Sequence, residues 1–141
     1  MFNLANLSHD IHKEVLFGPA VVTTGTSAYK SVQDCKRFLA RLAYGASDGV
    51  FDMKVVQATD SSGTGSKNIT GAAITQLSAT ADNKQAEIEV DVDALDEGFT
   101  HVAVTITVAG TTTAFVELLK LMNKKPVTQP TALTETVLVT G

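Results

Sequence analysis

Seven consecutive residues, Glu87-Ile88-Glu89-Val90-Asp91-Val92-Asp93, alternate between an acid and a β-branched apolar side chain. After Ala94-Leu95-Asp96-Glu97-Gly98, the alternation resumes. Val102, Val104, Ile106 and Val108 are interleaved with His101, Ala103, Thr105 and Thr107. A period of two sends successive side chains to opposite faces of an extended chain, so each stretch predicts a strand with one buried and one wet face. The run from Gln85 to Val108 therefore reads as two strands and a turn.

The same pattern continues elsewhere. From Val50 to Ala58, Phe51, Met53 and Val55 point one way and Asp52, Lys54 and Val56 the other. Thr59 to Lys67 is polar and rich in Gly and Ser, which predicts an exposed hairpin tip. Ile69 to Leu77 returns as a weaker strand. Ser31 to Tyr44 fits two readings. A helix would stripe Val32, Cys35, Phe38, Leu39 and Leu42, whereas a strand would turn Phe38, Ala40, Leu42 and Tyr44 inward and Arg37 and Arg41 outward. Ala114 to Met122 is similarly open, since a helix would also accept Phe115, Leu118, Leu119 and Met122. The all-β surroundings favour strands in both places.

The ends differ from the middle. Residues 1–14 read as an N-terminal arm. Val15 to Val22 is an apolar stretch broken by Gly18-Pro19, and a proline without a ladder donor belongs at a sheet edge or in a crossover. Residues 123–141 read as a C-terminal arm: Pro126 and Pro130 forbid regular structure at its start, and Thr134 to Thr140 reads as a final strand. The expected architecture is all-β, an antiparallel β-sandwich of about eight strands with extended arms, its sandwich domain spanning residues 15–122.

Composition narrows function mainly by exclusion. The chain of 141 residues carries a net charge of −4, and Lys36, Arg37 and Arg41 are its one basic concentration. Nucleic acid is therefore not an expected partner. The start lacks the basic and apolar regions of a signal peptide, and no run approaches the roughly 20 apolar residues that span a bilayer, so no membrane partner is expected. Cys35 is the single cysteine, which precludes an intrachain disulfide and suits assembly in a reducing cytoplasm.

Reaction chemistry is hard to find. Asp91, Asp93, Asp96 and Glu97 lack the alternate-ligand spacing of a calcium loop. His9, His12 and His101 do not assemble three converging zinc ligands. Gly63-Thr64-Gly65-Ser66-Lys67 lacks the full spacing of a phosphate loop and no helix pattern follows it. No catalytic residue, metal or cofactor is assigned. Carbohydrate binding is a competing class, with Tyr29 and Tyr44 as candidate stackers.

The stretches Asp34 to Leu42, Gly49 to Gly63, Ala86 to Asp91 and Gly98 to Val104 together resemble the capsid cement, or decoration, proteins of tailed phages. The resemblance covers roughly residues 15–122 in pattern. It implies a jelly roll that sits on the outer surface of an HK97-type virion shell, made in the host cytoplasm. Such a protein clamps neighbouring copies of the phage major capsid protein without covalent bonds. Head-completion and tail subunits are the alternative virion roles. The expected contact residues are apolar positions outside the clean strand pattern: Phe2, Leu4, Leu7, Leu16, Phe17, Val127 and Leu133. A homodimer is expected ahead of a trimer, because isologous pairs are the commonest assembly and an open edge strand offers a pairing surface.

Overall fold

The computed structural model describes residues 7–123, 128–137 and 139. One turn of helix, Leu7–Asp10, leads into nine strands among these residues. They are β1 (Ile11–Val22), β2 (Gly25–Thr26), β3 (Lys30–Ser31), β4 (Cys35–Ser47), β5 (Phe51–Ala58), β6 (Lys67–Ala73), β7 (Lys84–Asp91), β8 (His101–Val108) and β9 (Thr112–Met122). The first sheet has the order β1-β9-β4-β7 and the second β2-β8-β5-β6, with β3 also on β8. All pairings are antiparallel. Counting β2 and β3 as one interrupted strand leaves eight strands in two four-stranded sheets, with chain order interleaved as in a jelly roll.

The core lies between the sheets and follows the alternation. Phe38, Ala40, Leu42 and Tyr44 of β4 are buried, as are Phe51, Met53 and Val55 of β5, Val102, Val104 and Ile106 of β8, and Val116 and Leu118 of β9. Each fully buried large apolar side chain stabilises the fold by roughly 1.5–3 kcal/mol relative to exposure. Tyr44 and Phe51 bridge the sheets edge to face, with ring centroids 5.3 Å apart. Both open segments are strands. Thirteen-residue β4 takes its central place because it pairs with β9 on one side and β7 on the other.

The two cleanest strands are not neighbours. β7 pairs with β4 in the first sheet and β8 with β5 in the second. Between them the chain leaves the first sheet through a 3-10 turn, Val92–Ala94. Asp91 starts that turn by accepting a hydrogen bond from the Asp93 amide at 2.9 Å. Val92, the last apolar position of the predicted strand, is thus the first residue of the turn. Val56 also departs from expectation: it lies on the outward face with its cross-strand partner Ala103, yet both are buried.

The hairpin tip is as expected. Residues 59–66 join β5 to β6, and Asp60 accepts from the amides of Ser62 and Thr64 at 2.9 and 3.1 Å. Gly63, at φ +82°, sits where a Cβ would lie 2.6 Å from the Tyr29 ring, so any side chain there must displace that ring. At the N-terminal end β1 begins at Ile11, four residues inside the span read as an arm, and it occupies the sheet edge foreseen for the Pro19 segment. Its register on β9 slips twice between Val15 and Ala20. At the other end the predicted final strand is not found: residues 134–137 and 139 are irregular, and Leu138 and Thr140 lie outside the described residues.

Candidate functional site

The seven residues proposed from sequence do not converge on one surface. Phe2, Leu4 and Val127 lie outside the described residues. Leu16 and Phe17 of β1 are half-buried and pack against the domain's own core. Leu7, on the helical turn, is 73% exposed, and Leu133, on the tail, 38% exposed.

A broader surface emerges from the first sheet. Cross-strand partners share a face, so the partners of the half-buried Glu117 and Leu119 and the exposed Leu121 on β9 mark the side away from the core. On β1 those partners are Val15, Lys13 and Ile11, and on β4 they are Arg41, Leu39 and Arg37. Ile11, Leu39, Leu119 and Leu121 line a groove of about 210 Å³, with Arg37 and Glu89 at its rim. Arg37 reaches Glu89 at 3.3 Å and Asp91 at 3.4 Å, and Arg41 reaches Glu117 at 3.1 Å. The exposed Arg37 pairs each contribute about 0–1 kcal/mol. They orient a surface more than they stabilise the fold.

The second sheet presents a different outer face. Asp52, Lys54, Ala73, Thr105 and Thr107 line its shallow hollow. Thr26 and Thr105 share a hydroxyl hydrogen bond at 2.8 Å, and Asp52 accepts from Gln76 at 2.7 Å. Polar and charged groups make up most of this hollow.

Among the described residues, the Gln129 side chain fastens the C-terminal tail to β1. The Gln129 carbonyl accepts from the Lys13 amide at 3.0 Å. Its amide donates to the Ile11 carbonyl at 2.7 Å and the Ser8 carbonyl at 3.0 Å. From there Pro130, Ala132 and Leu133 stand beside Lys13, Val15 and Glu117, around a hollow of about 300 Å³. Nothing in the local pattern of the tail marked Gln129; its partners are more than 100 residues away.

One end of the sandwich is polar inside. His12 and Glu14 of β1 and Lys120 of β9 point inward, and Cys35 of β4 is buried with them. Facing them from β3, Lys30 bonds Glu14 at 2.7 Å and the Ser31 carbonyl accepts from Lys120 at 3.1 Å. Burial lowers the affinity of Lys120 for its proton, with Lys30 acting in the same sense and Cys35, Glu14 and Asp34 opposing it. Burial likewise lowers the pKa of His12, reinforced by the charge of Lys120. It pushes the Cys35 thiol up to about 11, although Lys120 works against this. A thiol so held is neutral at physiological pH and a poor nucleophile. Lys120 shares the inward parity of Ala114, Val116 and Leu118, a signal that the sequence does contain.

The acids singled out from sequence are used locally. Asp91 caps the 3-10 turn and meets Arg37, while Asp96 pairs with Lys67, whose ammonium stands 4.5 Å from the Phe99 ring centroid. Among the described residues no three His, Cys, Asp or Glu side chains are grouped to hold a metal ion, and no helix is long and apolar enough to cross a membrane. Tyr44 is in the core and presents no stacking face, whereas the half-buried Tyr29 lies against Gly63 and shares a hydroxyl hydrogen bond with Ser66 at 2.6 Å.

These elements define a jelly-roll β-sandwich with two unlike outer faces. The fold is similar to the crystal structure of SPBc2 prophage-derived protein YomS. The TM-score is 0.53 at 10% identity, covering 84% of this chain and 98% of that one. A weaker likeness, with a TM-score of 0.38 and 14% identity, covers 88% of this chain and 98% of a protein of Bacillus endospore appendages, described as disulfide-linked pili. No family model and no curated protein matches the chain in sequence.

Proposed function

We propose that this protein is a structural component of a phage virion, one that binds the outside of an HK97-type shell and cements neighbouring major capsid protein subunits non-covalently. The observation that supports this reading most is the outer face of the first sheet: an apolar groove between Ile11, Leu39, Leu119 and Leu121, rimmed by Arg37 and Glu89. The fold shared with a prophage-derived protein is in keeping with it. A cement acts by binding the assembled shell better than its dissociated parts, which shifts the equilibrium toward the shell by mass action. Apolar side chains supply the area to be buried, and paired charges set orientation. The exposed Leu7 and Leu133 stand ready to extend the contact. Many copies on one particle multiply a weak single contact through avidity.

The experiment compares particles with and without the protein during heating. Particles lacking it should release their genome at a lower temperature. Re-addition should restore the wild-type temperature, whereas Leu119→Glu, a half-buried change on the outer face, should bind shells about tenfold more weakly or worse. Equal rupture temperatures with and without the protein overturn the reading.

A further inference from the structure

β1 is the outermost strand of the first sheet, paired only with β9. The Lys13 amide and the Ile11 carbonyl both bond to Gln129, so the backbone groups of the odd-numbered residues here point away from β9 to the free edge. The Gln129 side chain makes there the donor and acceptor contacts of a neighbouring strand, without being one.

We propose that this edge, from Ile11 to Val15, is a pairing site for the same strand of a second copy of the chain, and that the tail, through Gln129, keeps it closed in the lone subunit. Antiparallel pairing about a twofold at Lys13 joins the two Lys13 residues by reciprocal backbone hydrogen bonds. It sets His12 of one copy opposite Glu14 of the other on the inward face. On the outward face it sets Ile11 opposite Val15. A neutral imidazole can donate a hydrogen bond to the facing carboxylate, and polar and apolar pairs matched across strands are favourable. The two Lys13 side chains meet at the axis, where their long stems let the ammonium groups turn apart into solvent, near Glu117, which lines the same hollow and pairs with Arg41.

The remaining edges among the described residues do not offer this match. On β7, a twofold at Ile88 sets Glu87 against Glu89, and like charges directly opposite are destabilising. One edge of the second sheet is broken into the two-residue strands β2 and β3, and the other, β6, is interrupted by a register shift on β5 and by Gly71 at φ +81°. Val15 on β1, beside Pro130, Ala132 and Leu133 of the tail, is still 51% exposed in the lone subunit. The pairing does not depend on the capsid reading and is measured without any capsid.

The test is sedimentation of the full chain as wild type, Gln129→Ala and Gln129→Ala/Val15→Lys, with hydrogen exchange at the Lys13 amide. Gln129→Ala should dimerise about tenfold more tightly than wild type, with the Lys13 amide protected in the dimer. Adding Val15→Lys, at an exposed site that folding tolerates, should return the chain to monomer. Dimerisation of Gln129→Ala no tighter than wild type overturns the proposal. So does a dimer whose Lys13 amide exchanges freely, or one that persists with Val15→Lys.

Discussion

The middle of the sandwich and the end beneath β3 both draw on β4 and β9 of the first sheet, yet they hold together differently. In the middle, Leu42, Tyr44, Phe51, Met53, Ile106 and Val116 meet across the interface and nearly all their surface is hidden. At the end, the inward positions of β1 and β9 are filled by His12, Glu14 and Lys120, which face Lys30 and Ser31. Apolar burial is favourable without regard to orientation. A buried ammonium gains only if its partners offset its lost hydration, and a single carboxylate, Glu14, lies between Lys30 and Lys120. The middle therefore supplies stability, and the end holds the first strand in place with little to spare. The end also carries the segment that Gln129 fastens.

Truncation at the centre should produce the largest effect. Phe51→Ala removes a fully buried ring that stands edge to face with Tyr44, and should cost about 3–5 kcal/mol, read as a fall in the urea midpoint. A cost under about 1 kcal/mol would mean that the middle is not the main source of stability. The opposite sign is expected at the end. Lys120→Met keeps the length of the side chain, removes the desolvated charge and leaves the exposed Ser31 carbonyl to water, so it should stabilise by about 1 kcal/mol. Destabilisation would show that the Lys120 bond to β3 outweighs its burial.

The smallest effect is a pH dependence. Burial and Lys120 hold the folded-state pKa of His12 below its ordinary value near 6.5. The facing groups are Lys13 and Glu14 on its own strand, Lys120 on β9 and Lys30 on β3. The unfolded chain then takes up the proton first as pH falls through 6.5, so stability is full above that value and declines below it. His12→Gln should flatten this decline between pH 7.5 and 5, measured as the urea midpoint. Parallel declines in the two proteins would remove His12 as the cause.

The alternation in 84–91, 101–108 and 51–58 was enough to predict strands, their buried faces and the sandwich class. It worked because the core is apolar and the pleat turns a period of two into an inside and an outside. The same parity carried Lys120 inward, although its charge argued for the surface. The helical stripe of 31–44 competed with the strand because Phe38 and Leu42 sit four residues apart and satisfy both periods.

By itself the amino-acid order determined what each strand hides and what it shows, since that is a property of neighbouring residues on one pleated ribbon. Only the tertiary structure decided which strands lie side by side. It sent β7 and β8 to different sheets, gave β4 its place between β9 and β7, and brought Gln129 to the edge of β1 across more than 100 residues of chain. The physical reason is that hydrogen-bonded edges are chemically alike from strand to strand. The choice of neighbour is made by the summed packing of both sheets, and no local pattern encodes that sum.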